Sequence, residues 1–348
     1  MTTKIPPELV DDQVFGRRNI LINGDFGIYQ RALQATGVGA SAAYPTADRW
    51  VINPSTEGRL TMTAATADAP SESNVYTSLK LDCTTADTSL GADQFCLLDQ
   101  RIEGFNVQHV KKGTSGAKQL TASFWVKGNA SATYVVELYD NDNTRQVSKS
   151  FSVTSSWSKV ELTFPTDTTG TFDNDSSASL FFQIWLTAGS NFTSGTLSET
   201  WSSVTAANRA VGISNFFSST DNEFYITAVQ LEVGSQATPF ERKQQNEVLL
   251  ECQRYFQSSF YGGPAVPISF AYGPWKYCAP MRAAPTESIR SGTDFNRYNS
   301  SGLSGTIPVN QIQNTMSVTG VYDLAIRAYS QTSTDNYFEG RLELDAEL

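Results

Sequence analysis

Histidine is nearly missing from this chain: His109 stands alone among 348 residues. The four cysteines, Cys83, Cys96, Cys252 and Cys278, include no C-x-x-C pair. A Cys/His zinc site is therefore not expected, and a lone histidine limits triad chemistry. No G-x-S-x-G elbow, P-loop or dinucleotide glycine fingerprint occurs. The expectation is a protein that is not an enzyme, although 35 acidic residues leave open the carboxylate pair of a glycosidase. Basic charge is scarce too, and the net charge is −10. Arg17-Arg18, Lys111-Lys112 and Arg242-Lys243 are the tight basic groups. None grows into the cationic face that tracks a phosphate backbone, so no nucleic-acid partner is expected. An anionic polysaccharide would also be repelled at long range, which favours a neutral glycan or a local site. No membrane-length apolar run and no signal peptide are seen, so the chain is expected to be synthesised in a cytoplasm without membrane insertion. Heptads, internal repeats and low-complexity tracts are likewise missing.

What the chain has is Ser, Thr and short alternating apolar runs. Leu79, Leu81 and Cys83 alternate with polar neighbours, as do Val160, Leu162 and Phe164, and again Leu180, Phe182, Ile184 and Leu186. Leu120 to Val126 and Tyr134 to Leu138 are strand-like, with Gly128-Asn129 between them. Asn23-Gly24 is a turn dipeptide. Phe224 and Ile226 are out of phase with Val229, Leu231 and Val233, which predicts a β-bulge near Ala228. Thr238-Pro239-Phe240-Glu241 has capping-box spacing, and Val248, Leu249, Cys252, Tyr255 and Phe256 follow at helical intervals. The fold class expected is all-β: a β-sandwich or jelly roll over 19–240, a connecting amphipathic helix over 241–257, and a smaller β domain over 258–348. In that last part, Phe338, Leu342 and Leu344 form a strand, with Tyr322, Leu324, Ile326 and Ala328 as its partner. Residues 1–18 are polar and carry Pro6-Pro7, as an arm would. Cys252 reads as a buried thiol; Cys83 and Cys96 are free to pair, but nothing requires it.

Strand parity selects the candidate site. With Phe124 and its alternates inward, Ser123, Trp125 and Lys127 point away from the core. On the same rule Glu137 and Tyr139 point out, and so do Phe181, Gln183 and Trp185. Sugar rings stack on aromatic faces and hydrogen-bond to amides and carboxylates, so Trp125, Trp185, Phe181, Tyr139, Glu137 and Gln183 are the glycan-binding candidates. The alternative is that this face is covered by another protomer or by the C-terminal domain. Trp50, Trp157 and Trp201 read as packing residues, Asp48-Arg49 as a buried ion pair, and His109 as a loop residue. Asp140-Asn141-Asp142-Asn143 and Asp173-Asn174-Asp175 are rich in oxygen ligands but are equally ordinary turn formers.

Several short blocks resemble those of bacteriophage tail-fibre and allied virion proteins. Asn19, Leu21, Asn23, Gly24, Phe26, Gln30 and Arg31 match the opening of such chains, and Ala47 to Trp50 follow as A-D-R-W. The blocks Gln100 to Gly104, Ser123 to Gly128, Val229 to Gly234, Thr238 to Glu241, Cys252 to Tyr255, Met281 to Thr286 and Asp345 to Leu348 come in the same order. The chain departs from the pattern at Gln244, where such proteins carry Ser at the helix N-cap. The resemblance implies a jelly roll like those of carbohydrate-binding modules, in which a structural calcium at the Asp/Asn loops is an option and no other cofactor is expected. It implies a virion location, an arm over 1–18 joining other virion proteins, and a homotrimer held by β-domain faces. The role implied is a tail fibre that contacts a host-surface glycan or protein. Two rivals stand beside it: a purely architectural capsid-decoration or tail-assembly protein, and a polysaccharide-degrading tailspike.

Overall fold

The alternating runs become strands of two stacked sheets. A computed structural model describes residues 17–266, 270–276, 278–283, 285–289, 295–299, 301–307, 312–317, 323–328 and 337–348. The arm proposed over 1–18 falls outside these, apart from Arg17 and Arg18, and so does Tyr322. The chain divides into two compact units, one running to Gln245 and the other from Asn246 to Glu347.

The first unit holds strands β1 (Gln34–Val38), β2 (Val51–Ser55), β3 (Arg59–Thr66), β4 (Thr77–Thr85), β5 (Phe95–Glu103) and β6 (Leu120–Gly128). Then come β7 (Ala132–Asp140), β8 (Arg145–Val153), β9 (Ser158–Phe164), β10 (Ala178–Ala188), β11 (Ser202–Ser203) and β12 (Glu223–Val233). One six-stranded sheet has the order β1-β3-β4-β12-β6-β9 and the other β11-β8-β7-β10-β5-β2. Every pairing is antiparallel, and the all-β jelly-roll sandwich is as expected. Leu120, Ala122, Phe124 and Val126 of the first sheet share one core with Tyr134, Val136, Leu138, Leu180, Phe182, Ile184 and Leu186 of the second. The predicted bulge is present. Ala228 has φ 51° and the β12–β6 register shifts between Thr227 and Gln230. The extra residue turns Phe224, Ile226, Val229 and Leu231 to the same side, all fully buried. Cys83 and Cys96 lie in different sheets and are free, buried thiols. Burial pushes the Cys83 thiol up to about 11.

The second unit opens with a helix, Gln245–Gln253, shorter than the 241–257 expected. Val248 and Cys252 are its buried residues, Leu249 is half-buried and Leu250 is exposed. Tyr255 and Phe256 are buried, but they lie in the turn and strand that follow. The capping box does not form, because Thr238 is already bonded elsewhere. Its amide donates to Glu232 Oε1 at 2.8 Å and its hydroxyl to Glu232 Oε2 at 2.7 Å. Beyond the helix are β13 (Phe256–Val266), β14 (Phe270–Lys276), β15 (Thr286–Ile289), β16 (Phe295–Asn299), β17 (Gly302–Ile307), β18 (Ile312–Ser317), β19 (Asp323–Ala328) and β20 (Tyr337–Asp345). The expected pairing of β19 with β20 is not found. β19 lies between β14 and β18, while β20 pairs along its length with β13 and borders β15 and β16. No described helix is long and apolar enough to cross a membrane.

Candidate functional site

Within the first unit, the blocks Asn19 to Arg31, Ala47 to Trp50, Gln100 to Gly104 and Val229 to Gly234 meet in space as a polar framework. Asn19 Nδ2 donates to Val229 O at 3.0 Å, and its Oδ1 accepts the amides of Leu21 and Leu231 at 3.1 and 3.0 Å. Gly24 is required by proximity: a Cβ there would lie 2.0 Å from Val229 O. Asn23 takes the positive φ, 57°, and its carbonyl accepts the Trp50 indole at 3.0 Å. Gln100 bonds both the amide and the carbonyl of Ile22, at 2.7 and 2.9 Å. Asp48 and Arg49 are both buried. Asp48 accepts Gln30 Nε2 at 2.6 Å and faces Arg31 at 3.7 Å, whereas Arg49 donates to Arg101 O at 2.6 Å. The two residues lie in a turn, with Arg49 at φ 73°, and each has a partner in another block.

Strand parity holds for the six site candidates, but the sheets separate them. β6 carries Trp125 on the outer face of the first sheet. β7 and β10 carry Tyr139, Glu137, Phe181, Gln183 and Trp185 on the outer face of the second. One surface cannot contain all six, which corrects the three-strand site.

The second-sheet face is largely closed, and by the chain itself. The segment between β10 and β12 lays Phe192, Leu197, Ala210 and Ile213 over Trp185, which is 1% exposed. Glu137 is fully buried and accepts Trp185 Nε1 at 2.8 Å together with a two-pronged Arg209 contact, 2.9 Å on each prong. Arg209 also donates to Gln183 at 3.2 Å and stacks over Trp185 and Tyr139, 4.9 and 5.2 Å from the ring centroids. Phe181 packs on Tyr139 at 5.5 Å, under the Arg101 guanidinium at 5.4 Å. Burial raises the neighbouring Asp99 to about 6, against the opposing pull of Arg101 and a Gln183 hydrogen bond. Glu137, Arg209, Gln183 and the Trp185 indole satisfy one another and hold the covering segment down, whereas Asp99 Oδ1 and Arg101 Nε have no hydrogen-bond partner among the described residues.

The first-sheet face carries an open groove of about 270 Å³. Trp125 and Phe240 line it, both half-buried, with Ser123, Lys159, Glu72 and Asn74 as polar lining. Four local structures make it. The β12 bulge brings the Ala228 backbone to the floor. A 3-10 turn over Ser71–Ser73, closed by Ser73 Oγ donating to Pro70 O at 2.6 Å, ends at Asn74 with φ 58°. Lys159 stands opposite Trp125 in the β6–β9 register. The fourth is the Thr-Pro-Phe-Glu segment. It is fixed at Thr238 by Glu232, and at Glu241 by the Gln230 Oε1 acceptor at 2.7 Å. The Glu241 carboxylate accepts the Arg18 and Asn19 amides at 3.0 and 2.8 Å. Phe240 is thereby held between two anchors. Glu72 and Asn74 are exposed, and their side chains make no hydrogen bond or ion pair with another described residue. Sequence reasoning passed over Glu72, Asn74 and Phe240; outward parity at Lys159, opposite the inward Val160, was the one local signal for the groove beyond Trp125 and Ser123.

The Asp/Asn loops are already filled. Lys112, half of one of the tight basic groups, is 4% exposed. Its ammonium contacts Asp140 Oδ2, Asp167 Oδ2 at 3.1 Å, and the carbonyls of Thr169 and Gly170 at 2.8 and 2.9 Å. Arg145 completes the pairing of Asp167 at 2.7 Å. Burial alone would raise Asp167; Arg145, the Thr169 amide and Lys112 outweigh it and hold the carboxyl below its usual range. Asn143 donates to Asp140, Asp142 accepts the Asp173 amide at 2.8 Å, and Asp175 accepts Ser177. These residues do not fit a calcium site, because the carboxylate at their centre already holds a cation.

No protein-family model matches the chain, and no curated protein does. Among solved structures, the enzymatically active domain of bacteriophage CBA120 tailspike protein 4 is similar at 12% identity and TM-score 0.34, over 62% of this chain and 21% of that one. TmCBM61 in complex with β-1,4-galactotriose is similar at 11% identity and TM-score 0.30, over 63% and 100%. A family 11 carbohydrate-binding module of a Clostridium thermocellum cellulase is similar at 12% and 0.28, over 53% and 88%. The alignment spans about a fifth of the tailspike chain. At these scores the fold description rests on the strand order of the chain itself.

Proposed function

We propose that this chain is a bacteriophage virion component, a tail fibre or similar host-facing appendage, and that its sandwich unit recognises a host-surface glycan non-covalently. The observation that carries the recognition half is the Trp125 groove. It is open, walled in part by aromatic side chains, and edged by Glu72 and Asn74, whose hydrogen-bonding capacity is unspent among the described residues. The virion half is supported by the tail-fibre-like blocks from Asn19 to Leu348. In this reading residues 1–18 join the chain to other virion proteins, and three copies associate through β-domain faces.

The test is binding of the purified full chain to host cells and to their extracted surface glycan, with Trp125→Ala alongside. Saturable binding that the variant loses, at unchanged circular dichroism, supports a glycan-recognising appendage. Absence of binding at high protein concentration favours the architectural reading. A fall in polysaccharide chain length on incubation favours a depolymerase. Deleting residues 1–18 tests the attachment role: particle incorporation should be lost while the fold persists.

A further inference from the structure

We infer that Lys127 limits the groove to a short stretch of uncharged saccharide, an end or side branch rather than the run of a polymer. The inference rests on the glycan reading of the groove. Residues two apart on a strand share a face about 7 Å from each other, so Lys127 follows Trp125 along the outer side of β6. Opposite them on β12 are Thr227 beside Trp125 and Tyr225 beside Lys127. An aromatic surface therefore continues past Trp125. Tyr225 and Trp157 are both half-buried there, their rings edge to face at 6.2 Å.

The groove nonetheless stops at Trp125, and Lys127, Tyr225 and Trp157 take no part in its lining. The Lys127 ammonium lies 4.4 Å from the Tyr225 centroid and 5.1 Å from that of Trp157. Asp68 holds it there through both carboxylate oxygens, at 2.8 and 2.9 Å, while also accepting the Trp157 indole at 3.4 Å. A second ammonium, Lys80, sits 5.5 Å from the Tyr225 centroid and is held by Glu223 at 2.6 Å. The rings that would extend a stacking floor are thus engaged by the protein's own cations. The charge of the groove sets the ligand's charge. Its one basic lining residue, Lys159, is paired with Glu161 at 2.6 Å, and its one acid, Glu72, repels carboxylates. A neutral sugar meets two aromatic rings and two unspent polar side chains, whereas a uronate or sialyl unit meets no free cation in the lining.

Isothermal titration of the full chain with neutral β-linked gluco-, galacto- and xylo-oligosaccharides of two to six units tests this. Wild type should bind with an affinity that levels off by the third unit. Lys127→Ala should bind the five- and six-unit chains about three- to tenfold more tightly, with the two-unit affinity unchanged. Asp68→Asn should shift the same way to a smaller extent; it releases the ammonium without altering β6, so it serves if Lys127→Ala folds poorly. Wild-type affinity that climbs steadily through six units overturns the inference. So do variants with no gain on long chains while Trp125→Ala abolishes binding, a result that leaves the groove standing. Binding by Trp125→Ala equal to wild type removes the groove reading itself, and failure of wild type to bind any of these sugars overturns the neutral-saccharide assignment.

Discussion

The two outer faces of the sandwich begin from the same pattern and end in opposite states. Each carries aromatic residues that strand alternation turns away from the core. On the second sheet the segment between β10 and β12 folds back, buries Trp185 to 1% exposure and seats Arg209 on Glu137. On the first sheet the described residues bring the strap around Phe240, anchored at both ends, and the short turn at Ser71–Ser73, and a groove stays open beside Trp125. The difference lies in what the loops bring. A loop that supplies apolar side chains and a matching cation closes a face, and a short strap that supplies one ring leaves it accessible. Leaving the core is a property of the strand, whereas meeting solvent is a property of the rest of the chain.

Exchanging truncations between the faces should expose this most strongly. Trp185→Ala is expected to cost about 3–5 kcal/mol in chemical denaturation, as a fully packed aromatic does. A cost below about 1 kcal/mol would show that the second face is not sealed. Arg209→Met comes next, at about 3 kcal/mol, because it leaves the Glu137 carboxylate buried without its cation. Amide hydrogen exchange over 189–215 should quicken with it, and unchanged exchange would mean that the ion pair does not hold the cover. Asp99 gives a smaller effect with a definite sign. Its folded pKa of about 6 lies above the unfolded value, so the folded state holds the extra proton and stability falls as pH rises from about 4 to about 6. Asp99→Asn should flatten that fall in denaturation curves measured across this window; an unaltered slope would remove Asp99 as its source. Trp125→Ala should be smallest for stability, under about 1 kcal/mol, since the ring is half-buried over an intact sheet. Its effect belongs to binding, and a large loss of stability would mark it as a packing residue like Trp185.

Much of the sandwich was legible because alternation is local. Phe124, Leu138 and Phe182 face the core as their neighbours required, and the phase break between Ile226 and Val229 located the Ala228 bulge. Sheet membership was not legible. β6 and β7 are consecutive yet belong to different sheets, and hydrogen-bonding partners of strands come from distant chain. That is why parity alone groups Trp125 with Trp185. The Thr238 capping box failed for a related reason: its hydroxyl has a better acceptor in Glu232, and local spacing does not reveal the competition. The site followed suit. Trp125 and Ser123 were found by parity, while Phe240, Glu72 and Asn74 reach the groove from a strap and a turn with no periodicity to read.

Lys112 carries a consequence for how the unit depends on its surroundings. Two carboxylates and two carbonyls converge on its ammonium much as ligands converge on a diffusible cation. Stability conferred by a dissolved ion rises and falls with that ion's concentration. A cation tethered to its own backbone is present at one fixed effective concentration. It cannot be diluted away or drawn off by a chelator, so the loops around Asp140 and Asp167 keep their shape across media of very different ionic composition.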